Sequence, residues 1–162
     1  MSGRLEGKTA IITGAGCRDG LGNGQAGALL FAREGARLLL VDRDADALAS
    51  TMAMLAEQGH GAEAMVADVA GDDAFATIAQ RCLAHYGRID ILLNNVGISS
   101  RGGLLQSDAA EWDRCFAVNV RSVFLAARAV IPAMRRQREG RIVNVSSIAG
   151  ARVSLPPPHA YA

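Results

Sequence analysis

Residues 9–22 read TAIITGAGCRDGLG, so that a short apolar run, Thr9 to Thr13, passes directly into a glycine-rich segment, Gly14 to Gly22. β-Branched residues favour a strand. Glycines let the backbone turn sharply and come close to a phosphate, and the free N–H groups and dipole at the start of a following helix attract negative charge. The segment therefore predicts a strand, a pyrophosphate-binding turn and a helix. The alternative is an ordinary tight turn between a strand and a helix.

The predicted binding positions in this turn are Gly14, Gly16, Gly20, Leu21 and Gly22. A literal G-x-G-x-x-G pattern also occurs at Gly22–Gly27, but it starts too far beyond the strand to form its turn. We interpret that pattern as a coincidence inside the helix.

The rest of the chain alternates short apolar runs with longer alanine-rich segments of helical periodicity, which is typical of βαβ units. The predicted strands are Thr9–Thr13, Arg37–Val41, Ala62–Ala67, Ile89–Asn94 and Arg141–Val145. The predicted helices are Gly22–Arg33, Asp44–Gln58, Asp72–Tyr86 and Asp108–Arg136, with stop signals at Gly35, Gly59, Gly87 and Gly140. Several strands are continuously apolar, which suits coverage by helices on both faces. We expect an α/β fold with a doubly wound parallel sheet of five buried strands.

The composition favours one soluble globular domain spanning residues 1–162, since half of the 162 residues are hydrophobic. A net charge of +1 and the lack of a basic run predict no nucleic-acid partner and no attraction to an anionic membrane. The N-terminus lacks the apolar stretch of a signal peptide, and the apolar run Val123–Ile131 is broken by Arg128, so we expect a cytoplasmic protein without a membrane segment.

The cysteines and histidines lack the spacing of ligands. The three cysteines form no Cys-x-x-Cys pair, and the three histidines have no clustered partners, which predicts neither a disulfide framework nor a metal site.

Asp42 stands at the end of the second predicted strand, directly after Val41 and about 20 residues past Gly22, where a ribose-binding acid belongs in this architecture. A carboxylate there accepts hydrogen bonds from both ribose hydroxyls and repels a 2′-phosphate, which favours NAD over NADP. The neighbouring Arg43 opposes this preference, because a guanidinium can stack on adenine or pair with a 2′-phosphate.

Motifs after the second predicted strand narrow the interpretation from a general dinucleotide-binding fold to one family. They are Asp68-Val69 after the third strand, Asn94-Asn95-Val96-Gly97 after the fourth, Val118-Asn119-Val120 in the long helix, and Val143-Asn144-Val145-Ser146-Ser147 leading toward Tyr161. In their order and spacing along essentially the whole chain, they resemble the short-chain dehydrogenase/reductase family, whose motif after the fourth strand reads Asn-Asn-Ala-Gly. The resemblance implies a Rossmann-like fold and a nicotinamide cofactor.

The resemblance also implies roles for single residues. Asp68 and Val69 would hold the adenine ring, and Asn95 and Gly97 would line the cofactor's ribose. The implied catalytic residues are Asn119, Ser147 and Tyr161. Tyr161 would exchange a proton with the substrate oxygen, Ser147 would hydrogen-bond that oxygen, and Asn119 would anchor a relay water.

Structural alternatives remain open for these three residues. Asn119 could face solvent on the helix and bond locally, and Ser147 could cap a loop. Tyr161 could be a frayed terminal aromatic.

Two features depart from the family's pattern. Five residues separate Gly14 from Gly20, where the family has three. The family's lysine, which follows the tyrosine by a few positions, is missing, and Lys8 is the single lysine of the chain. We therefore expect a C-terminally truncated fragment of doubtful activity, with the sheet incomplete at that end.

The resulting hypothesis is an oxidoreductase that transfers a hydride between NAD, rather than NADP, and a secondary alcohol or ketone. Its partner would be a small-molecule substrate, and the intact form would be a homo-oligomer. One alternative is a non-catalytic dinucleotide-binding or regulatory protein. Another is an S-adenosylmethionine-dependent methyltransferase, which shares the glycine turn and the acid but has no use for Asn119, Ser147 and Tyr161 in this order.

Overall fold

The chain forms a single parallel sheet with helices on both faces, as the computed structural model describes it for residues 3–100 and 105–147. The strands are β1 (Thr9–Thr13), β2 (Arg37–Asp42), β3 (Glu63–Val66), β4 (Ile91–Asn94) and β5 (Arg141–Asn144). Their spatial order is β3-β2-β1-β4-β5, and every pairing is parallel. The predicted α/β fold class is confirmed.

The helices are α1 (Asn23–Arg33), α2 (Ala45–Glu57), α3 (Ala74–Tyr86), α4 (Ala109–Phe116) and α5 (Ser122–Gln137). One apolar cluster joins one face of the sheet to α1 and α2, through residues such as Ile12, Leu40 and Leu55. A second cluster joins the other face to α3 and α5, through residues such as Ile11, Ile78 and Val130. Because β1 supplies alternate residues to both clusters, its side chains are buried on both faces of the sheet.

Burial is not equal across the five strands, and here the prediction of five buried strands is wrong. Every residue of β1 and β4 is buried, whereas β3 alternates between half-buried and exposed positions and β5 is mostly exposed. Among the described residues, β3 and β5 each pair with one strand only. An edge strand has neighbours on one side, so its side chains keep contact with solvent.

Two predicted boundaries differ for identifiable reasons. Strand β4 begins at Ile91 rather than Ile89, because the backbone of Ile89 exchanges two hydrogen bonds with the side chain of Gln137 (3.1 and 2.8 Å). Helix α5 ends at Gln137, one residue beyond the predicted Arg136, and the left-handed residue that follows it is Arg138 (φ 58°) rather than the predicted stop signal Gly140. The lack of a side chain at Gly140 serves packing, since a Cβ there would overlap the side chain of Met134.

The long predicted helix Asp108–Arg136 is interrupted by a π-helical turn, Ala117–Arg121. Its predicted start is confirmed, because Asp108 caps it by accepting a hydrogen bond from the Glu111 N–H (2.8 Å). Counted through this turn, the helical segment Ala109–Gln137 is long and apolar enough to cross a membrane by length and composition alone, whereas the shorter run Val123–Ile131 did not predict this. Its α5 part packs on the sheet through residues such as Val130.

The amino ends of the strands carry an ion pair whose carboxylate is buried. The carboxylate of Asp90 is 2% exposed and accepts hydrogen bonds from the Arg88 guanidinium (2.6 and 2.7 Å) and from the Thr9 N–H (2.8 Å). Burial alone would raise the pKa of Asp90, but the bonds from Arg88 and Thr9 outweigh it and hold that pKa below its ordinary value. Lys8 pairs with Glu139 at the same edge (2.8 Å).

Candidate active site

The carboxyl ends of β1 and β4 meet at the point where the strand order reverses. The chain runs from β1 outward through β2 to β3 and then returns to the other side of β1 as β4. Open α/β sheets bind ligands in the crevice at such a point. Gly14 follows β1 there, and Asn95 follows β4. The Asn95 side chain donates to the Gly14 carbonyl (3.0 Å), and its N–H donates to the Thr13 hydroxyl (3.2 Å).

The glycine turn closes differently from the prediction. Gly22 is the residue before α1, and Gly24 lies in its first turn with a backbone so close to Gly14 that a Cβ at Gly24 would overlap the Gly14 carbonyl oxygen. Gly14 itself has a positive φ (64°), which an L side chain rarely adopts. The G-x-G pair that packs against the turn is therefore Gly22 and Gly24, and the pattern at Gly22–Gly27 is not a coincidence.

Gly20 and Leu21 lie in an exposed part of the same loop, and Leu21 is 61% exposed. Among the described residues, neither lines the cavity formed by Gly14 and Gly16. The sequence signal for Gly24 is the literal G-x-G-x-x-G pattern itself, but its distance beyond the strand argues against it when the sequence is considered alone. Seven residues lie between Gly14 and Gly22, so the loop is longer than the five-residue spacing between Gly14 and Gly20 indicates.

A cavity of about 230 Å³ lies beside this turn at the carboxyl ends of β1 to β4. Eight of the predicted cofactor-binding residues line it: Gly14, Gly16, Asp42, Arg43, Asp68, Val69, Asn95 and Gly97. These residues come from four separate segments of the chain. The fold brings them together because all four segments follow the carboxyl ends of parallel strands.

Asp42 is bound to the backbone on both of its carboxylate oxygens. One oxygen accepts a hydrogen bond from the Gly16 N–H (2.8 Å), and the other accepts one from the Asp44 N–H (3.0 Å). The carboxylate thus ties the glycine turn to the start of α2. Arg43 is exposed, and the guanidinium of Arg18 pairs with Asp44 nearby. The hydrogen bond to Arg18 holds the pKa of Asp44 below its ordinary value.

Asp68 and Val69 differ in exposure. Val69 is 5% exposed and belongs to the core while also lining the cavity. The carboxylate of Asp68 is exposed and accepts a hydrogen bond from the Ala70 N–H (2.9 Å), which closes its own turn.

Asn119 lies in the π-helical turn and is half-buried rather than on a solvent-facing side. Its amide oxygen accepts from the Ile98 N–H and its amide nitrogen donates to the Ile98 carbonyl, both at 2.9 Å. The side chain therefore fastens the loop after β4 to the helix. The alternative of a local bond on a wet helix face is wrong.

A second cavity of about 420 Å³ adjoins the first, and residues 95–98 line both. Asn119, Ser146 and Ser147 line this second cavity, so two of the three predicted catalytic residues share it. The third, Tyr161, lies outside the described residues. Lys8 is at the opposite, amino edge of the sheet, where it pairs with Glu139.

The two adjoining cavities fit an extended dinucleotide in chemical terms. Gly14 and Gly16 line the first cavity without side chains, and the start of α1, whose free N–H groups favour negative charge, follows the turn. The larger groove of about 770 Å³ between α3 and α5 contains none of the predicted site residues.

Comparison with known proteins agrees with this geometry. Residues 8–162 match the family described as short chain dehydrogenase. Oxidoreductase UcpA of Escherichia coli K12 is 39% identical over 160 residues, which cover 99% of this chain and 59% of UcpA. Cyclopentanol dehydrogenase of Comamonas sp. is 38% identical over 98% of this chain and 62% of its own length. The chain thus spans about three-fifths of the length of these relatives.

Solved structures show the same fold. A short-chain dehydrogenase/reductase from Burkholderia xenovorans superposes with a TM-score of 0.89 at 40% identity, over 93% of this chain and 60% of that one. NAD+-bound xylitol dehydrogenase superposes with a TM-score of 0.85 at 33% identity, over 96% of this chain and 58% of that one. A metagenomic short-chain oxidoreductase in complex with NADP superposes with a TM-score of 0.86 at 36% identity, over 96% of this chain and 69% of that one.

The match along nearly the whole chain removes the methyltransferase alternative and confirms the resemblance inferred from the motifs. With its parallel sheet, its glycine turn at the strand-order reversal and its relatives at close to 40% identity, this chain belongs to the short-chain dehydrogenase family of oxidoreductases.

Proposed function

We propose that this protein is an NAD-dependent oxidoreductase that transfers a hydride between the cofactor and a secondary alcohol or ketone. One observation carries the proposal. The cavity lined by the predicted adenosine-side residues adjoins the cavity lined by Asn119 and Ser147, with residues 95–98 as the common wall. A dinucleotide extending across this wall would bring its nicotinamide ring beside the serine. The family's members bind nicotinamide cofactors and act on small molecules.

The preference for NAD rests on the charges around Asp42. Its carboxylate lies at the end of β2 and lines the first cavity, where it would face the 2′ position of the adenosine ribose. Arg18 is paired with Asp44, so its positive charge is already balanced. Asp42, Asp44 and Asp46 thus outnumber the two arginines here, and they would repel a 2′-phosphate.

The chemistry divides between the cofactor and the side chains. When bound, the nicotinamide supplies or accepts the hydride. Ser147 donates a hydrogen bond to the substrate oxygen, on which charge develops in the transition state, and Tyr161 exchanges a proton with the same oxygen. Asn119 acts as a positioning residue, because its amide fixes the loop that forms the wall between the two cavities.

Turnover tests this proposal. Because this chain spans about three-fifths of the length of its relatives, a form that spans their full length is incubated with NAD+ and a panel of secondary alcohols that begins with cyclopentanol and xylitol, and NADH is followed by absorbance. We expect NADH formation with at least one alcohol, and Ser147→Ala should lower kcat by about a hundredfold to a thousandfold while NADH binding is kept. If NADH binds but no alcohol or ketone is turned over, the non-catalytic dinucleotide-binding alternative is correct instead.

We also infer that the protein forms a homo-oligomer through the apolar face of α4 and α5, defined as Trp112, Phe116, Val120, Phe124 and Ile131. These side chains are 39–62% exposed, and Trp112 stacks on Phe116 (4.5 Å between ring centroids). The first four recur every four residues, and Ile131 follows Phe124 by two turns, so helical periodicity places them on one side of the helix. Members of the family are typically oligomeric, and a second copy of the same face would cover this stripe.

A further inference from the structure

A buried chain of hydrogen bonds lies beneath the glycine turn and involves two residues that have no place in the proposed chemistry. Gln25, in the first turn of α1, is 1% exposed, and Thr51, in the middle of α2, is 0% exposed. The Gln25 amide nitrogen donates to the Thr51 hydroxyl oxygen (3.1 Å), and the Thr51 hydroxyl donates to the Ala15 carbonyl (2.7 Å). Ala15 is the residue between Gly14 and Gly16.

The Thr51 hydroxyl has two possible acceptors, and the distances decide between them. A threonine inside a helix ordinarily bonds the carbonyl four residues earlier. Here that carbonyl, on Ala47, is 3.4 Å away, whereas the Ala15 carbonyl is 2.7 Å away. The Gln25 amide N–H donates to a lone pair of the hydroxyl oxygen, and the hydroxyl proton is donated to the Ala15 carbonyl oxygen.

The peptide group between Ala15 and Gly16 is consequently held from both sides. Its carbonyl accepts from Thr51, and its N–H donates to Asp42 (2.8 Å). Because a peptide group is planar, fixing both atoms fixes its orientation. The carbonyl is directed at a fully buried side chain, and Gly16 lines the neighbouring cavity. The negative end of this peptide dipole therefore points away from that cavity.

Gln25 is held in this place at a cost to stability. Its amide oxygen is buried without a hydrogen-bond partner among the described residues, although most buried polar groups have one. An apolar side chain of similar length would fill the space without this orphaned atom. Proteins keep unfavourable features such as a buried, unpaired polar atom mainly at functional sites.

From these contacts we propose that Gln25 and Thr51 are positioning residues for binding of the cofactor's pyrophosphate, since they keep the Ala15 carbonyl turned away from the phosphates. This inference rests on the proposed function of the site. Without the Thr51 hydroxyl, this peptide group is held through its N–H side alone, and rotation of the Ala15 carbonyl toward the ligand would place it where it repels the negatively charged phosphates.

The experiment compares Thr51→Val, which has the same shape without the hydroxyl, with Thr51→Ser, which keeps it. Binding of NADH and ADP is measured by calorimetry, and binding of adenosine, which has no phosphate, by ligand-observed NMR. We expect Thr51→Val to weaken ADP and NADH about tenfold while adenosine changes less than about twofold, and Thr51→Ser to stay near wild type. Gln25→Met should weaken ADP by a smaller factor while its Tm stays close to that of wild type.

Each outcome has one meaning. Undiminished ADP binding by folded Thr51→Val overturns the positioning role, and so does an equal loss of ADP and adenosine, which would indicate a structural role only. If Thr51→Val does not fold, Gln25→Met provides the test. Full ADP affinity in Gln25→Met would then overturn the positioning role. A wild-type protein that binds neither NADH nor ADP overturns the proposed function itself.

Discussion

At the scale of single residues, Gly24 determines how closely α1 approaches the end of β1. Gly24→Ala gains helix propensity worth about 1 kcal/mol. It also inserts a Cβ against the Gly14 carbonyl oxygen and within 2.7 Å of the Asn95 amide nitrogen. Backbone overlap of this kind costs about 1–3 kcal/mol or more, so the steric effect should dominate.

We expect Gly24→Ala to lower the free energy of unfolding and to weaken NADH binding, as measured by urea denaturation and calorimetry. Gly61→Ala is the matched control, because a Cβ at Gly61 meets nothing within 4 Å. A Gly24→Ala variant as stable as the Gly61→Ala variant, with full NADH affinity, would refute the close packing described for this turn.

Asp90 makes the free energy of unfolding depend on pH. Its pKa is lower in the folded protein than its ordinary value, so its stabilising contribution is fully present above about pH 4 and is lost as the pH falls through the folded-state pKa. Asp90→Asn should cost about 1.5–3 kcal/mol at pH 7, because it removes a charged acceptor from Arg88 and the Thr9 N–H.

The difference in unfolding free energy between wild type and Asp90→Asn should shrink as the pH is lowered below about 4, which urea titrations at a series of pH values measure. Asp113→Asn, at an exposed position on α4, is the control: the same change of side chain should leave the free energy of unfolding at pH 7 nearly unchanged. A difference that stays constant down to pH 2 would contradict the ion-pair account.

At the scale of elements, the alternation of apolar runs and helical segments was enough to predict all five strands and the start of the long helix. The π-helical turn at Ala117–Arg121 was not predictable, because one extra residue in a helical turn leaves the hydrophobic spacing nearly unchanged. The sequence also predicts the wrong glycine pair, Gly20 and Gly22 instead of Gly22 and Gly24. The longer loop moves the start of α1 along the chain, and only the packing shows which glycines approach Gly14. Asp42 was predicted from its position at the end of a strand, whereas Asn95 was predicted from the resemblance of the motif after β4 to that of the family.

The π-helical turn has a testable consequence. Asn119→Ala removes both hydrogen bonds to the Ile98 backbone and should lower the free energy of unfolding by about 1–3 kcal/mol. Because residues 95–98 form the wall between the two cavities, NADH binding should weaken as well. Asp113→Ala, on the exposed side of the preceding helix, should change neither property. Unchanged stability and unchanged NADH affinity in Asn119→Ala would show that the loop does not depend on this amide.

At the scale of the whole molecule, the apolar face of α4 and α5 predicts self-association. Phe124 is 62% exposed at the middle of that face, and Phe124→Glu should weaken the oligomer about 30-fold, the effect of losing a contact worth about 2 kcal/mol. Size-exclusion chromatography with light scattering gives the mass of each form. Gln80→Glu, which adds a charge on α3 outside this face, should leave the mass unchanged. A wild-type protein that is monomeric at high micromolar concentration would contradict the inference.

Calorimetric titration of the protein with NADH and with NADPH measures whether the crevice at the strand-order reversal binds NAD(H) in preference to NADP(H). We expect NADH to bind about tenfold or more tightly than NADPH, because the carboxylate of Asp42 opposes a 2′-phosphate. Asp42→Asn removes the charge and keeps an acceptor for a backbone N–H, so it should narrow the preference while NADH still binds. Failure of the wild-type protein to bind NADH, or binding of NADPH as tight as that of NADH, would show that this crevice is not an NAD(H) site of the proposed kind.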